Sequence, residues 1–128
     1  MKEQNRWFEF ADEDYIVAQA SLERKIYNQV CFHSHQGIEK LLKGYLFTKN
    51  KNIPRTHFIG VLLKLCVKIN KKFSEMIDRC IKLDDYYIPT RYPDALPGSL
   101  PDGLPAKEDA EESLSILEEM RDLIKNNL

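Results

Sequence analysis

Apolar residues recur along this chain at intervals of three and four, the period of helices that bury one face. The clearest stripe lies in the centre of the chain and consists of Cys31, Ile38, Leu41, Leu42, Tyr45 and Leu46. It predicts a helix from about Gln29 to Thr48, with Asn28 as its capping residue. Gly37 and Gly44 are two turns apart on nearly one side of this helix, so we expect another backbone or a ligand to approach closely there.

Similar stripes predict helices on both sides of the central one. The first runs from about Trp7 to Leu22, and the last from Lys107 to Asn126. A third begins after Thr56, its candidate cap, and ends near Asn70. A short fourth helix follows Ser74, its candidate cap, and directs Met76, Ile77, Cys80, Ile81 and Leu83 toward the core. Without a strand pattern or an internal repeat, the prediction is an all-α, antiparallel up-and-down bundle of four to five helices.

Prolines concentrate in one stretch before the last helix. Five of the six prolines lie between Asp84 and Ala106, so a regular helix or strand is not expected there. The stretch is therefore predicted to be a long proline-rich loop, residues 84–106. Its first part, Tyr86 to Asp94, is rich in tyrosine and is predicted to pack on the bundle, whereas Ala95 to Pro105 is predicted to be mobile.

Composition places the chain among globular proteins rather than disordered ones. Its 128 residues suffice for one domain, residues 1–128, and its net charge of -1 gives no overall attraction to nucleic acid. The sequence still allows a local basic patch, because five basic residues lie close together in the chain: Lys40, Lys43, Lys49, Lys51 and Arg55. Without a signal-peptide pattern or an apolar run of about 18 residues, we expect a cytoplasmic protein with no membrane partner.

The three cysteines carry no metal-binding pattern. Cys31, Cys66 and Cys80 are widely spaced and form no CxxC or Cys/His cluster, so we expect reduced thiols that behave as small apolar side chains. A metal site built from the three histidines also lacks ligand spacing. No P-loop or GxGxxG motif occurs. We therefore predict neither a metal nor another cofactor.

Polar side chains along the central helix suggest a phosphate-binding site. Lys40 and Lys43, with Arg91 from the proline-rich loop, are the predicted phosphate ligands, because ammonium and guanidinium groups grip phosphate oxygens. Tyrosines of the loop can stack on a base. The supporting residues are predicted to be His35, Gln36, Glu39, Tyr87, Tyr92 and Asp94. Alternatively, Arg91 pairs with Glu39 and pins the loop to the central helix, while the tyrosines cover the core.

Histidines offer a second kind of chemistry. Cleavage of RNA without a metal needs a base for the 2′-hydroxyl proton and a cation for the developing charge. His33 or His35 can supply the base, and Lys40, Lys43 or Arg91 the cation. Because His33 and His35 are two residues apart, they cannot share a helix face. His57 is predicted to hydrogen-bond locally at the start of the third helix.

Three stretches, in this order, resemble the HEPN domain (higher eukaryotes and prokaryotes nucleotide-binding domain). They are Phe32–Lys43, which contains Gln-x-x-Glu-Lys-x-x-Lys, then Pro54–His57, then Tyr86–Asp94 before the final helix. The resemblance implies a small helical bundle, commonly a homodimer. It also implies a neighbouring minimal nucleotidyltransferase, in a system of toxin–antitoxin type.

Many HEPN proteins are metal-independent endoribonucleases with an Arg-x4–6-His motif, and this chain departs from that pattern. Arg24 precedes His33 by too many residues and Arg55 precedes His57 by too few. The sequence therefore favours a nucleotide- or RNA-binding HEPN module that acts with a nucleotidyltransferase partner. The alternatives are an endoribonuclease toxin with a non-standard active site, or a scaffold whose acidic last helix binds another protein.

Overall fold

The computed structural model describes residues 2–85 and 105–128, with side chains from Arg6 onward in the first helix. These residues form five α-helices and no strand: α1 (Lys2–Glu23), α2 (Tyr27–Thr48), α3 (Ile59–Ile69), α4 (Ile77–Asp84) and α5 (Lys107–Lys125), with a 3₁₀ segment, Lys71–Met76, before α4. The predicted all-α bundle is confirmed. Within the described ranges, no helix is both long and apolar enough to cross a membrane.

The central helix α2 is the core around which the others pack. It contacts α1, α3, α4 and α5. Of its 22 residues 13 are buried, and four of these are polar: Ser34, His35, Glu39 and Lys43. A helix buried on most of its circumference is expected to be apolar all round. Buried polar groups need hydrogen-bond partners, and the partners of His35, Glu39 and Lys43 define the candidate site below.

Glycines allow α1 and α5 to approach α2 closely. A Cβ atom on Gly44 would lie 2.5 Å from Phe8 Cε1, and one on Gly37 would lie 3.0 Å from Leu117 Cδ1. The close approach is as predicted, but side chains fill the space rather than a backbone or a ligand. Since Phe8 lies at Gly44 and Asp14 at Gly37, α1 and α2 run antiparallel.

The first two helices begin earlier than predicted. Helix α1 starts at Lys2 rather than near Trp7. The prediction missed this start because the first turn is polar and carries no apolar stripe. Helix α2 starts at Tyr27, so that Asn28 lies in its first turn and is not its cap. The reason is the tight reversal between α1 and α2: Lys25 adopts a left-handed φ of 61°, and the Ile26 N–H donates to Ser21 O at 2.9 Å.

Helix α3 is capped by a residue far along the chain. Thr56 was the predicted cap, but its Oγ1 accepts the Phe58 N–H at 3.1 Å, one residue before the helix starts. The first helical N–H groups, of Ile59 and Gly60, donate instead to Asp84 Oδ1 and Oδ2 at 2.8 and 3.0 Å. Asp84 thus belongs to α4 and caps α3, so it is not part of a loop as predicted; residues 86–104 of the predicted loop lie outside the described residues.

The region before α4 also differs from the prediction. Ser74 is not a cap, because it lies within the 3₁₀ segment and its hydroxyl donates to Lys71 O at 2.7 Å. Asn70 caps that segment by accepting the Lys72 N–H at 3.0 Å. Of the apolar residues predicted to face the core, Ile81 is 44% exposed, while Met76, Cys80 and Leu83 are buried.

The three cysteines are buried in the helices as small apolar side chains, as predicted. Cys31, Cys66 and Cys80 are free thiols without exposed surface. Burial raises the pKa of each to about 12, because a thiolate is poorly solvated in an apolar core. All three therefore stay protonated, and hence poorly reactive, near neutral pH.

Candidate functional site

Three carboxylates from different parts of the chain organise the polar side chains of α2. Asp14 comes from α1, Glu39 from α2 itself and Asp84 from the end of α4, and each is hydrogen-bonded to one of the three histidines. At about 100° per residue, His33 and Lys40 lie on the side of α2 that faces α1, and His35 lies nearly opposite. Polar contacts therefore extend around much of α2.

Asp14 holds two basic side chains of α2 at the surface. His33 Nδ1 lies 2.9 Å from Asp14 Oδ1, and Lys40 Nζ donates to Asp14 Oδ2 at 2.6 Å. The side chain of Asp14 is 9% exposed, against 23% for His33 and 27% for Lys40. Because a carboxylate only accepts, His33 Nδ1 carries the proton, and Nε2 of the neutral ring is then an acceptor. We call these three residues the Asp14 cluster.

Glu39 forms a second cluster that is more deeply buried. Lys43, one turn further along α2, donates from Nζ to Glu39 Oε2 at 2.8 Å. His57 Nδ1 lies 3.1 and 3.2 Å from the two oxygens of the same carboxylate. His57 thus contacts a carboxylate 18 residues earlier in the chain, a partner that the prediction of a local bond did not include. Lys43 also lies 5.7 Å from the centroid of the Trp7 ring, which closes the site on the α1 side.

His35 connects α2 to the capped end of α3. Its Nε2 lies 2.9 Å from Asp84 Oδ1, the oxygen that also accepts the Ile59 N–H. The residue is fully buried. His33 and His35 thus lie on different faces of α2, as predicted, and have different environments. A fully buried imidazole that joins three helices supports the packing and is not accessible to a substrate.

The structure separates the predicted phosphate ligands. Lys40 is half-buried on Asp14, whereas Lys43 is only 7% exposed and paired with Glu39, so the two ammonium groups do not form one open pair. Gln36 is half-buried, one turn before Lys40 on α2. The remaining predicted residues lie outside the described residues: Tyr86, Tyr87, Arg91, Tyr92 and Asp94. The predicted contact of Arg91 with α2 thus stays a prediction.

Two groups essential to this geometry were not among the predicted site residues. In the sequence, Asp14 belongs to an acidic run with Asp12 and Glu13 and does not stand out by itself. Its position between Ala11 and Ala18, three and four residues away, puts a carboxylate on the apolar face of α1, and this was the available signal. Asp84 gave no comparable signal, because it looked like the first residue of a loop. Within residues 2–85 and 105–128, no three metal-ligating side chains are grouped to hold an ion.

Comparison with known proteins agrees with this architecture. The family model for the HEPN domain matches residues 4–127. A candidate toxin of Methanocaldococcus jannaschii, MJ1304, is 32% identical over 127 residues, which cover 92% of this chain and 83% of that protein.

Two solved structures are similar over nearly their whole length. TT1696 from Thermus thermophilus has a TM-score of 0.82 and 29% identity, with 100% of both chains covered. ST0689, an archaeal HEPN homologue, has a TM-score of 0.77 and 27% identity, with 98% of both chains covered. Fold and sequence thus point to the same family.

Proposed function

This chain belongs to the HEPN domain family, and on that premise we propose that it is a toxin-like HEPN protein that binds nucleotide or RNA along the surface of α2. In this proposal Lys40 and Arg91 contact phosphate, and Gln36 and the tyrosines Tyr87 and Tyr92 contact the rest of the nucleotide. The similarity to a candidate toxin supports the toxin-like part of the proposal. The contacts of Lys40 support the binding part.

The Asp14 cluster is the observation on which the binding role rests. An ammonium group has three N–H donors, and among the described residues Lys40 uses one of them, on Asp14. The other two can donate to phosphate oxygens without breaking that contact. Asp14, being nearly buried, holds the ammonium in place and lowers the entropy lost when a ligand binds.

Lys43 has a different role in this arrangement. To reach a phosphate it would have to leave Glu39, and an uncompensated buried carboxylate costs about 3–5 kcal/mol. Its predicted phosphate contact therefore requires that the ligand also reorganise Glu39 and His57. We assign the direct contact to Lys40, and we propose that Lys43 holds the carboxylate beneath it.

The binding role is tested with single substitutions. Lys40→Ala and Arg91→Ala should each weaken binding of a labelled single-stranded RNA or a nucleoside triphosphate about tenfold, since a hydrogen bond to a charged group contributes about 1.5–3 kcal/mol. Fluorescence anisotropy gives the Kd. Lys82→Ala, an exposed lysine on α4, is the matched control and should leave the Kd unchanged. Unchanged affinity with a lower melting temperature in Lys40→Ala would show that the Asp14 cluster only stabilises the bundle.

We further propose that the protein acts in the cytoplasm as a homodimer with a minimal nucleotidyltransferase. This follows the organisation implied by the family. Light scattering should give twice the chain mass of 15.0 kDa, and a nucleotidyltransferase encoded beside the gene should co-purify with the protein. A monomer at micromolar concentration that copurifies with no such protein would contradict this part.

Metal-independent cleavage of RNA is the second candidate function, and the orientation of His33 favours it. With Nδ1 held by Asp14, the ring presents Nε2 to take the 2′-hydroxyl proton. Lys40, which is hydrogen-bonded to the same carboxylate, would stabilise the negative charge of the phosphorane. The 2′-oxygen would attack phosphorus as its proton passes to His33 Nε2, and the bond between phosphorus and the 5′-oxygen would break, with the departing 5′-oxygen taking a proton from water. The products would be a 2′,3′-cyclic phosphate and a 5′-hydroxyl.

Nuclease activity is tested by incubating RNA with the purified protein in EDTA. His33→Ala should abolish cleavage while leaving RNA affinity within a few fold, because a base acts in the transition state rather than in ground-state binding. Cleavage that survives in His33→Ala would exclude this mechanism. If RNA stays intact in the presence of excess wild-type protein, the nuclease proposal is wrong and only the binding role is left.

A further inference from the structure

Basic residues are concentrated in one continuous part of the chain. Residues 40–74 contain nine lysines and arginines and no aspartate or glutamate. The other ten basic residues share the rest of the chain with all 20 acidic ones. A net charge of -1 thus conceals a strong separation of charge between the region around α3 and the remainder of the protein.

Most of these basic side chains face solvent without an acidic partner. Lys40 and Lys43 are paired with Asp14 and Glu39, and Lys49 lies 5.5 Å from the centroid of the Tyr45 ring. The six others are exposed: Lys51, Arg55, Lys64, Lys68, Lys71 and Lys72. Among the ion pairs of the described residues, none involves these six.

Helix dipoles account for part of this charge but not for all of it. Helices α2 and α3 both end in this region, at Thr48 and Ile69, and cations near a helix C-terminus are favourable. That effect is confined to the last turn and accounts for Lys49 and Lys68. Lys64 lies in the middle of α3 and Arg55 lies before it. The like charges of this surface repel one another, and a bound polyanion would reduce that repulsion.

A cleft of about 300 Å³ lies within this surface. Its walls are Leu46, Lys51, Asn52, Leu65, Lys68 and Ile69. The turn after α2 shapes it: Asn50 adopts a left-handed φ of 58°, and the Lys51 N–H returns to Leu46 O at 3.0 Å. This turn places Lys51 beside α3, across an apolar floor from Lys68. We call this site the lysine cleft.

We propose that the lysine cleft binds a segment of single-stranded RNA, with one base on its apolar floor and the adjoining phosphates on Lys51 and Lys68. A nucleotide joins a flat, largely apolar base to an anion, which matches a floor flanked by two ammonium groups. An acidic peptide has no large apolar group beside each carboxylate and matches it less well. The base has to be unstacked to enter, so the ligand is a single strand rather than a duplex.

The lysine cleft is separate from the Asp14 cluster but lies on the same helix. Leu46 follows Glu39 by seven residues, two turns along one face of α2, a rise of about 10 Å. A strand seated in the cleft can therefore continue toward His57, whose Nδ1 lies 3.1 Å from Glu39 Oε1 and whose side chain is 58% exposed. This inference rests on the proposed function only in taking RNA as the ligand; the residues involved are different.

The test is the salt dependence of RNA binding. For single strands, log K changes with log[salt] by about 0.7 per phosphate contact. The double variant Lys51→Ala/Lys68→Ala should thus bind a labelled single-stranded RNA roughly tenfold more weakly in 0.1 M KCl, with a slope smaller by about 1.4. Lys82→Ala/Lys107→Ala removes two exposed lysines elsewhere and should change neither quantity. Leu65→Ser should weaken binding without changing the slope, and circular dichroism checks that each variant is folded.

Each outcome separates this inference from the function proposed above. If Lys51→Ala/Lys68→Ala binds RNA with the affinity and salt dependence of the wild type, the proposal for the lysine cleft is overturned. Weaker binding by Lys40→Ala would then still support a binding role for the Asp14 cluster. If the double variant binds RNA more weakly and Lys40→Ala binds it like the wild type, the result supports the lysine cleft and contradicts the binding role of Lys40. If the double variant loses affinity for polyglutamate as much as for RNA, the surface serves an acidic protein and the RNA assignment is wrong. A wild-type protein that binds no RNA overturns the proposal for the lysine cleft, whereas the function proposed for the Asp14 cluster is overturned only if the protein binds neither RNA nor a nucleoside triphosphate.

Discussion

At the scale of single residues, burial decides what each polar side chain of α2 can do. Lys40 and Lys43 are three residues apart and chemically identical, but the first is half-buried and the second nearly inaccessible. His33 and His35 differ in the same way. Only the exposed member of each pair can meet a ligand, and the buried member contributes to the packing of α2. Among the histidines and lysines of α2, His33 and Lys40 are therefore the ones to which we assign contact with a ligand.

Glycines test the packing at the same scale. Gly44→Ala should destabilise the protein by about 1 kcal/mol, because overpacking costs about 1–3 kcal/mol and the gain in helix propensity returns about 1. The new Cβ would lie 3.0 Å from Trp7 Cβ and closer still to the Phe8 ring. Chemical denaturation measures the free energy of unfolding.

Gly60→Ala is the matched control for this change. Its Cβ would meet nothing nearer than 3.5 Å, so the substitution should stabilise the protein by about 0.5 kcal/mol. Equal effects at Gly44 and Gly60 would contradict the close contact between α1 and α2.

At the scale of elements, α3 and α4 are held together through one carboxylate. The first two N–H groups of α3 have no partner within the helix. They donate to Asp84, at the end of α4, which also receives His35 from α2. A cap that comes from another helix links local helix stability to tertiary packing, so these elements are expected to open together.

Asp84→Asn tests this link. The amide can accept on only one atom, so one N–H of α3 loses its partner, and we expect a loss of about 1–2 kcal/mol in unfolding free energy. Hydrogen exchange at Ile59 and Gly60 should accelerate more than at α5. Asp85→Asn changes the neighbouring exposed carboxylate and should have little effect. Equal exchange rates in both variants would mean that α3 does not depend on this cap.

At the scale of the whole molecule, the protein has an apolar core and a surface on which basic and acidic residues are unevenly distributed. The core runs along α2 and contains all three thiols, while the basic residues gather around α3 and the acidic ones on α1 and α5. Some of the acidic groups are paired across these two helices: Tyr15 donates to Glu118 at 2.6 Å, and Arg121 donates to Asp12 at 3.1 Å. Among the residues that the structure describes, the six exposed basic side chains around α3 have no ion pair, and this is the observation behind the lysine cleft.

The buried thiols make stability dependent on alkaline pH. Their pKa is about 12 when folded, above the ordinary value of 9.0 that applies when unfolded. The unfolded chain therefore releases these protons first as pH rises, so their stabilising contribution is complete below pH 9 and is lost between about pH 9 and 12. Denaturation at several pH values should show this decline, and Cys66→Ala should make it shallower.

Thiol labelling reports the same burial. At pH 8 the native protein should react slowly with a disulfide reagent, and all three thiols should react quickly in denaturant, because only the thiolate attacks. Rapid labelling of any one thiol in the folded protein would contradict the packing of its helix.

The helices, their order and the family could be predicted from the sequence, because each depends on local periodicity or on residues close together in the chain. The stripe around Ile38 and the run from Gln36 to Lys43 are examples. The starts of α1 and α2 were predicted too late, because the residues at these starts, Lys2–Arg6 and Tyr27, do not extend the apolar stripe of either helix. The prediction that Tyr86 to Asp94 packs on the bundle falls outside the described residues.

Tertiary structure alone decided which charges meet. His33 and Lys40 find Asp14 at separations of 19 and 26 residues, His57 finds Glu39 at 18, and His35 finds Asp84 at 49. No local pattern encodes such pairings, because they depend on how helices pack around α2 and on the desolvation that forces each buried charge to find a partner. The sequence by itself determined that α2 is the central helix and that it carries a run of polar side chains. The packing of α1 and α4 against it determined which of its side chains remain accessible to a ligand.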